Sequence, residues 1–403
     1  MEKITELMDH YVRNNEIAGA AVCVQRDGRE IYRKSFGMAD RENRIPVTER
    51  TVFRLASMTK PIIAIAVMKL AEADKLRLED RLSDYIPAYR SRKVVKEPVD
   101  MMKFYNPDPD HPLGPAALEE LKRAELVDAK REVTIYDCLS HSSGVGMGPV
   151  SGAWLEKHIR AEIPLAERVE LYAQAPGDFQ PGEASGYSAV AAFDSLGRVI
   201  EIVSGMDLNT FLRKEIFEPL GIRDITYLPD LEQQGRLCRL YEYEEKTREL
   251  TDVSDVPSDL QLVDPRLYGY FSGGAGLFGT LEDYCKIAQL LVNRGSCGGV
   301  RILKEDTVDK MAGKGIPHDK VISPGMFWGL GMAVFNDPQK AGRGLTPGSY
   351  GWSGAYGTHF YIDPCSRLTT VLMVNRSNCG GAGSYISLAL EQAVYDSYIS
   401  TSG

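Results

Sequence analysis

The sequence predicts a mixed α/β fold in which an antiparallel sheet, built from both chain ends and flanked by helices, carries a mainly helical insertion. Strand-like runs open the chain, helical periodicity dominates its middle, and further strand-like runs followed by a helix close it. This order lacks the regular strand–helix alternation of a doubly wound parallel fold. With 403 residues, the chain is long enough for two parts. We expect an α/β part from residues 1–55 and 230–403, a mainly helical part from residues 56–229, and an active site at their junction.

Each element is predicted from periodicity, because apolar residues recur every three or four positions in a half-buried helix and alternate or cluster in a strand. The dipeptide Asp27-Gly28 between the first two strands is typical of a hairpin turn. Residues 90–132 are polar and contain several prolines, so we expect a long surface excursion that forms a wall or lid of a site. Helices are expected at residues 1–8, 60–71, 134–139, 189–203, 211–217, 281–293 and 384–398, and strands at residues 20–24, 31–36, 239–243, 248–251, 327–334, 358–363 and 368–375.

Composition and charge exclude several classes of protein. The net charge of −9 and the lack of a lysine or arginine run argue against binding to nucleic acid. No run of about 18 apolar residues could span a membrane, and residues 1–8 lack the apolar segment of a signal peptide, so we expect a cytoplasmic protein. Seven cysteines without a CxxC pair suit reduced thiols, and the six histidines show no metal-ligand spacing. We therefore expect neither a metal nor a cofactor.

The residues with the clearest chemistry are Ser57 and Lys60. They lie one helical turn apart, so the lysine ammonium can lie beside the serine hydroxyl. Ser57 also stands at the start of a helix, where partial positive charge and free N–H groups favour an oxyanion. An S-x-x-K pair is expected about once by chance in a chain of this length, and a serine at a helix start is also a common N-cap. The pair therefore indicates a serine nucleophile only together with further residues.

Such residues follow in order along nearly the whole chain. The landmarks in chain order are Ser57-Met58-Thr59-Lys60, Leu139-Ser140-His141-Ser142-Ser143-Gly144, Pro181-Gly182, Tyr187-Ser188, Leu196-Gly197, Ile200-Glu201, Pro219-Leu220-Gly221, Gly273-Gly274-Ala275-Gly276, Trp352-Ser353-Gly354 and Asp363-Pro364. Taken together, they make the sequence resemble the serine β-lactamase and penicillin-binding-protein superfamily, in its class C-like branch, and most of all the family VIII carboxylesterases. The resemblance implies the β-lactamase/transpeptidase-like fold.

The resemblance implies three catalytic residues. Ser57 is expected to attack an acyl carbonyl, while Lys60 and Tyr187 share the task of taking the serine proton and passing it to the leaving group. A tyrosine with the ordinary pKa of about 10 is a poor base at neutral pH, but a neighbouring ammonium lowers that pKa by favouring the phenolate. From its own sequence context Tyr187 is better explained as a buried structural tyrosine, and only its place in the ordered set of motifs reverses that interpretation.

The third motif departs from that of the lactamases, which have Lys-Thr-Gly. This chain has Trp352-Ser353-Gly354 instead, and the family VIII esterases resemble it in having tryptophan there. The resemblance implies that these three residues bind substrate, and that the N–H of Ala355 forms an oxyanion hole with that of Ser57. Loss of the lysine removes a cation that would hold a substrate carboxylate, and the indole offers an apolar wall, which favours a neutral ester. The alternative that Trp352 only packs stays equally open.

Other positions bear on the same question. The lactamase motif Tyr-x-Asn ends here in Ala189, which cannot hydrogen-bond a substrate amide. Asp194 recurs in the esterase-like branch and is expected to be a structural hydrogen-bonding residue. His141 and His359 suggest a Ser-His-Asp triad, but no G-x-S-x-G elbow exists to carry one, so structural roles are favoured for both.

The sequence therefore predicts a serine hydrolase that cleaves small to medium carboxylic esters through an acyl-enzyme intermediate. The expected partner is a small-molecule ester or acyl substrate, with no nucleic acid or membrane and with the oligomeric state left open. Two alternatives share the fold: a β-lactamase or D-amino-acid peptidase or amidase, and an acyltransferase. A third is a non-catalytic binding or scaffold homologue, although such a protein has no physical need to keep Ser57, Lys60 and Tyr187 together.

Overall fold

Strands from the two ends of the chain pair side by side. The computed structural model describes residues 2–98, 123–146, 148–160, 163–255 and 269–398, and nine strands of that described chain form one antiparallel sheet. Strand Gly19–Arg26 lies between Arg29–Asp40, which follows it, and Leu368–Val374, near the end of the chain. The predicted antiparallel sheet from both chain ends is confirmed.

The bounds of the elements are as follows. The strands are β1 (Gly19–Arg26), β2 (Arg29–Asp40), β3 (Ile45–Pro46), β4 (Phe53–Arg54), β5 (Lys93–Val95), β6 (Leu126–Asp128), β7 (Tyr241–Glu244), β8 (Glu249–Asp252), β9 (Phe278–Gly279), β10 (Ser296–Cys297), β11 (Val300–Arg301), β12 (Val321–Ser323), β13 (Met326–Trp328), β14 (Ala333–Phe335), β15 (Ser349–Ser353), β16 (His359–Asp363) and β17 (Leu368–Val374). The α-helices are α1 (Glu2–Arg13), α2 (Thr59–Glu72), α3 (Leu82–Tyr85), α4 (Ile135–Leu139), α5 (Pro149–His158), α6 (Leu165–Gln174), α7 (Ala191–Ser204), α8 (Leu208–Leu212), α9 (Leu231–Gln234), α10 (Leu281–Val292), α11 (Glu305–Met311) and α12 (Tyr385–Tyr398), with 3₁₀ turns at Ala56–Met58 and Pro87–Ser91 and a π-helical segment at Arg213–Phe217. The sheet runs in the order β12-β13-β14-β15-β16-β17-β1-β2-β3.

The chain divides into two units. The sheet unit comprises Met1–Lys69, Leu212–Leu262 and Ala275–Gly403, and the helical unit comprises Leu70–Phe211 and Val263–Gly274. The sheet unit thus includes most of α2 and residues 212–229, which the sequence assigned to the helical part. The reason is the packing at the start of α2, where the Thr59 hydroxyl accepts from the Leu277 N–H and the carbonyl of Met58, directly before the helix, accepts from the Tyr284 hydroxyl.

Helices cover both faces of the sheet. On one face, α10 packs against β16, β17 and β1, and the Tyr284 ring lies 5.1 Å from the Phe360 ring. Helices α1 and α12 pack together, and Lys3 pairs with Asp396 over 3.0 Å. Every residue of β16 and β17 is buried, as expected for strands covered on both sides.

One expected strand turns out differently, and one expected surface excursion lies largely outside the described residues. Residues 327–334 form two strands, β13 and β14, that pair antiparallel with Phe327 opposite Val334. The reversal needs Gly331, whose φ of 82° is left-handed, so a single strand was the wrong prediction. Of the expected excursion over 90–132, residues 99–122 lie outside the described residues, and the flanking β5 and β6 pair antiparallel as a two-stranded sheet.

Helix α7 forms the centre of the helical unit. Phe193, Leu196, Val199 and Ile200 repeat every three or four positions and are fully buried. The helix ends at Gly205, whose left-handed φ of 69° is the usual C-terminal stop. Among the helices of the described ranges, none combines the length and the apolar character needed to cross a membrane.

Candidate active site

Ser57 and Lys60 lie where a 3₁₀ turn, Ala56–Met58, runs directly into helix α2. The Lys60 Nζ atom lies 3.0 Å from the Ser57 Oγ atom. Lys60 is fully buried, whereas Ser57 is half-buried. A neutral amine at this distance can accept the hydroxyl proton, so the pair has the geometry of a nucleophile and its base.

The backbone just before the nucleophile is strained. Ala56 has a φ angle of 46°, in the left-handed region that costs a residue with a Cβ atom about 1–2 kcal/mol. The Leu55 N–H donates to the Leu277 carbonyl over 2.9 Å. The Tyr284 hydroxyl donates to the Met58 carbonyl over 3.0 Å. These bonds hold the strained turn in place, an arrangement typical of functional sites.

Gly354 lets the end of strand β15 approach this turn. A Cβ atom here would collide with the Leu55 carbonyl oxygen and with the Thr358 hydroxyl, so only glycine fits. The Gly354 N–H donates to the Thr358 carbonyl over 2.7 Å, and the Thr358 hydroxyl donates to the Leu55 carbonyl over 3.0 Å. The segment that carries Ala355 is therefore held against the segment that carries Ser57.

Trp352 and Ser353 are both buried in β15. Trp352 is only 8% exposed, and its ring centroid lies 4.7 Å from that of Trp328 at an angle of 59°. The Ser353 Oγ atom lies 2.7 Å from Nδ1 of His359. Both side chains thus make protein contacts, and their predicted role in binding substrate stays a prediction.

An apolar cluster includes the chain neighbours of Ser57 and Gly354, namely Ala56 and Ala355. Two of its members are half-buried. Its members carry no charge. They are the buried Ala56, Leu240 and Tyr356 and the half-buried Val253 and Ala355.

Tyr187 is half-buried in the helical unit, in the loop before α7. The backbone N–H of the next residue, Ser188, donates to Nδ1 of His141 over 3.1 Å, and the Ser188 hydroxyl donates to the Val145 carbonyl over 2.8 Å. The His141 ring also packs against the Tyr187 ring, with centroids 5.0 Å apart. Because Nδ1 accepts a hydrogen bond, the neutral ring carries its hydrogen on Nε2. His141 therefore positions the loop that carries Tyr187.

Asp194 is fully buried in the helical unit and accepts hydrogen bonds from several described residues. Burial raises the pKa of this carboxyl above its ordinary value, and the hydrogen bonds it accepts only partly offset that effect. The interactions tie residues 270–274 to helix α7, which is a structural role. The donors are the hydroxyls of Tyr172, Tyr270 and Ser272 and the backbone N–H of Gly274.

Sequence reasoning missed the groups that hold the nucleophile turn, notably Tyr284 and Thr358. No local motif marks them, because they come from helix α10 and from the turn before β16 and meet Leu55 and Met58 only in the folded chain. Within the described ranges, no group of three or more His, Cys, Asp or Glu side chains is arranged to hold a metal ion.

Comparisons with known sequences extend over almost all of the chain. Residues 4–392 match the Beta-lactamase family. Esterase EstB of Burkholderia gladioli is 28% identical over 411 residues, which cover 98% of this chain and 94% of that protein. A candidate D-alanyl-D-alanine carboxypeptidase of Escherichia coli K12 is 26% identical over 370 residues, which cover 87% of this chain and 76% of that protein.

Solved structures show the same likeness. EstCE1, a hydrolase with promiscuous acyltransferase activity, superposes with a TM-score of 0.78 at 26% identity, over 98% of both chains. Simvastatin synthase LovD of Aspergillus terreus superposes with a TM-score of 0.75 over 98% of both chains, but at 19% identity that likeness shows the fold alone. The fold is thus of the β-lactamase/transpeptidase-like class, as predicted. The chain belongs to the beta-lactamase family.

Proposed function

We propose that the protein is a serine hydrolase that cleaves small to medium carboxylic esters through an acyl-enzyme intermediate. The observation that carries the proposal is the 3.0 Å separation of Ser57 Oγ and the Nζ atom of a fully buried Lys60. Likeness to Esterase EstB over 98% of the chain, and to EstCE1 in structure, supports an ester as the substrate.

The proposed reaction has two halves. The Ser57 oxygen forms a bond to the ester carbonyl carbon while its proton passes to the base that Lys60 and Tyr187 share. The oxyanion accepts hydrogen bonds from the backbone N–H groups of Ser57 and Ala355, each donor being worth roughly 10²–10³ in kcat. The bond to the alcohol then breaks, and the alcohol leaves with the proton. Water attacks the acyl-enzyme with the help of the same base and releases the carboxylic acid and free Ser57.

Three features support an uncharged substrate. Trp352 stands where the lactamases have a lysine, so it offers no positive charge to a substrate carboxylate. Ala189 stands where they have an asparagine, so it offers no amide group to a substrate amide. The apolar cluster beside Ser57 suits the hydrocarbon part of an acyl group. We therefore infer that a small-molecule ester is the partner of this site; the cytoplasmic location expected from the sequence stays a prediction.

Transfer of the acyl group to an alcohol is the second candidate function. The acyl-enzyme is common to both reactions, and an alcohol that replaces water in the second half yields a new ester. EstCE1, at 26% identity, combines hydrolase and acyltransferase activity. A peptidase of the same fold is the third candidate, because of the likeness to the Escherichia coli carboxypeptidase candidate.

Labelling with a fluorophosphonate probe tests the nucleophile without assuming a substrate. An activated serine displaces fluoride and stays covalently attached to phosphorus, so we expect mass spectrometry to find the label on the peptide that contains Ser57. The label should disappear in Ser57→Ala and persist in Ser366→Ala, a control in the turn after β16. Wild-type protein that takes up no label, or a label elsewhere that persists in Ser57→Ala, would contradict the proposal.

A further inference from the structure

Four buried polar side chains are linked in series next to the proposed oxyanion hole. Ser353 and His359 are register partners on β15 and β16, and the Ser353 Oγ atom lies 2.7 Å from the His359 Nδ1 atom. The His359 Nε2 atom lies 3.0 Å from Oε1 of Glu391 on helix α12. Arg343 donates to both carboxylate oxygens of Glu391, with its Nε atom 2.6 Å from Oε2. We call Ser353, His359, Glu391 and Arg343 the buried network.

The buried network lies on the side of the sheet away from helix α10. Phe360, the neighbour of His359, contacts Tyr284 of α10, and successive strand residues point to opposite faces. His359 therefore points to the other face, where α12 supplies Glu391.

Because the network is buried, the charges of Glu391 and Arg343 stabilise each other. The Glu391 side chain is fully buried, and the Arg343 side chain is 5% exposed. Burial alone would raise the pKa of Glu391, but the hydrogen bonds from Arg343 and His359 outweigh it and hold that pKa below its ordinary value. Glu391 is therefore ionised and paired with the guanidinium, an arrangement that a buried carboxylate requires.

The charge of Glu391 favours one tautomer of His359. An ionised carboxylate only accepts, so a hydrogen on the His359 Nε2 atom that faces it is favoured. A ring in that tautomer can accept from the Ser353 hydroxyl at Nδ1. The series of contacts ties β15 to β16 and to helix α12.

We propose that the buried network is a positioning device for the oxyanion hole. Ser353 directly precedes Gly354 and Ala355, and the turn of residues 354–358 is closed by the Ser353–His359 contact at its base and by the Gly354–Thr358 backbone bond. The network thereby fixes the backbone that presents the Ala355 N–H. Ser353 and His359 are positioning residues, because they act through this backbone. The inference rests on the proposed function, in which that N–H stabilises the oxyanion.

The test compares matched variants in two assays. We expect Ser353→Ala and His359→Leu to lower kcat for p-nitrophenyl butyrate by roughly 10- to 100-fold with KM little changed, since displacement of a reacting group by about 1 Å costs on the order of 100-fold. His359→Asn has almost the shape of His359→Leu but offers an oxygen near the place of Nδ1, so it should recover part of the lost kcat. Thr369→Val removes a buried hydroxyl that pairs with Gln25 elsewhere in the sheet, and it should leave kcat unchanged.

Amide hydrogen exchange supplies a readout that needs no turnover. In Ser353→Ala, peptides covering residues 352–358 should exchange faster while the rest of the sheet stays protected. Wild-type protein without esterase activity would overturn the proposed function, and the exchange experiment would still test the network. The inference is overturned if Ser353→Ala matches Thr369→Val in kcat and leaves exchange unchanged, or if His359→Asn is as slow as His359→Leu. If the His359 variants do not fold, Ser353→Ala, which removes only a hydroxyl, decides.

Discussion

At the scale of single residues, the site depends on the unequal burial of Ser57 and Lys60. Ser57 lies in the 3₁₀ turn that runs into α2 and Lys60 lies in the first turn of that helix, and the surrounding packing buries the lysine while leaving the serine half-buried. The buried ammonium group is thus held within 3.0 Å of the serine hydroxyl. The same burial explains why the lysine is not the solvated surface charge that an isolated S-x-x-K motif would suggest.

Replacement of Lys60 by methionine tests its role as a base. Methionine fills a similar buried volume without a charge, so the protein should stay folded while kcat/KM for p-nitrophenyl butyrate falls about 10²–10⁴-fold. Lys69→Met, on the same helix and paired with Glu215 over 3.6 Å, is the matched control and should keep the wild-type rate. Wild-type kinetics in a folded Lys60→Met protein would remove Lys60 from the mechanism.

Replacement of Gly354 by alanine tests the close approach of β15 to the nucleophile turn. The added methyl group collides with the Leu55 carbonyl, so the variant should lose about 1–3 kcal/mol of stability and most of its esterase activity. Urea denaturation and initial rates measure the two effects. Gly152→Ala, in helix α5 with open space around it, should instead gain up to about 1 kcal/mol. A Gly354→Ala protein as stable and active as wild type would show that the approach is not required.

At the scale of elements, loops and strand ends carry the proposed chemistry while helices and packed strands hold them. The loop with Tyr187 takes its position from His141 in the turn after α4, and the turn after β15 takes its position from Leu55 and Thr358. In each case one segment's backbone is fixed by a polar group from a distant segment. Changes in those supporting groups should therefore affect rates more than overall stability.

Variants of His141 test the support of the Tyr187 loop. His141→Ala removes the acceptor of the Ser188 N–H and should lower kcat/KM by roughly 10-fold or more. His141→Asn should retain more activity, since asparagine tolerates the left-handed φ of 52° at this position and offers an amide oxygen. His158→Ala, which changes an exposed histidine of the same unit, is the control. Equal rates for all three variants would show that the loop needs no such support.

The pairing of helix α12 with the sheet predicts a pH dependence. Glu391→Gln leaves the Arg343 guanidinium buried without its counter-ion, so it should cost about 3–5 kcal/mol at pH 7. The pKa of Glu391 is lowered from its ordinary 4.5, because hydrogen bonds from Arg343 and His359 outweigh the opposite effect of burial. The stabilisation by the carboxylate is therefore present above pH 4.5 and is lost as the pH falls through the lowered pKa.

Urea denaturation of wild type and Glu391→Gln between pH 7 and about pH 3 measures this effect. The difference in unfolding free energy should be constant down to about pH 4.5 and shrink below it. Glu305→Gln, which disrupts an exposed pair with Arg294, should show little difference at any pH. A gap for Glu391→Gln that persists at full size to the lowest pH would contradict the account.

Helices and strands could be predicted from the sequence where a regular pattern of apolar residues extends over many positions. Helices α7, α10 and α12 lie within one or two residues of their expected bounds, since their apolar stripes fix both type and length. The strands expected at residues 239–243 and 248–251 are also present, as β7 and β8, and they pair antiparallel. The sequence did not predict two separate strands within residues 327–334. An apolar run interrupted by glycines has the same pattern whether the chain continues in one direction or reverses.

At the scale of the whole molecule, the order of the motifs allowed the fold and family to be predicted. The landmarks run in order from Ser57 to Pro364, and the family match extends over residues 4–392, so a single resemblance predicts the sheet built from both chain ends. All seven cysteines are free thiols, as their number and spacing indicated. The assignment of residues 56–229 to the helical part did not follow the units seen, because packing rather than sequence order decides where a helix belongs.

The supporting contacts could not be predicted. Glu391 and Arg343 lie 48 positions apart, and neither belongs to a recognisable motif, yet they form the charged end of the buried network beside β15. Such contacts depend on side-chain directions across strands and helices, which a single sequence does not specify.

The most direct measurement is the pair of hydrolysis rates for p-nitrophenyl butyrate and the β-lactam nitrocefin, with wild type beside Ser57→Ala. We expect rapid ester hydrolysis that is abolished by the substitution, with nitrocefin hydrolysed slowly or not at all, because Trp352 and Ala189 offer no partner for a β-lactam's carboxylate or amide. Ester hydrolysis that persists in Ser57→Ala would contradict the proposed nucleophile. Fast opening of nitrocefin would contradict the proposed substrate class and show that another cation replaces the missing lysine.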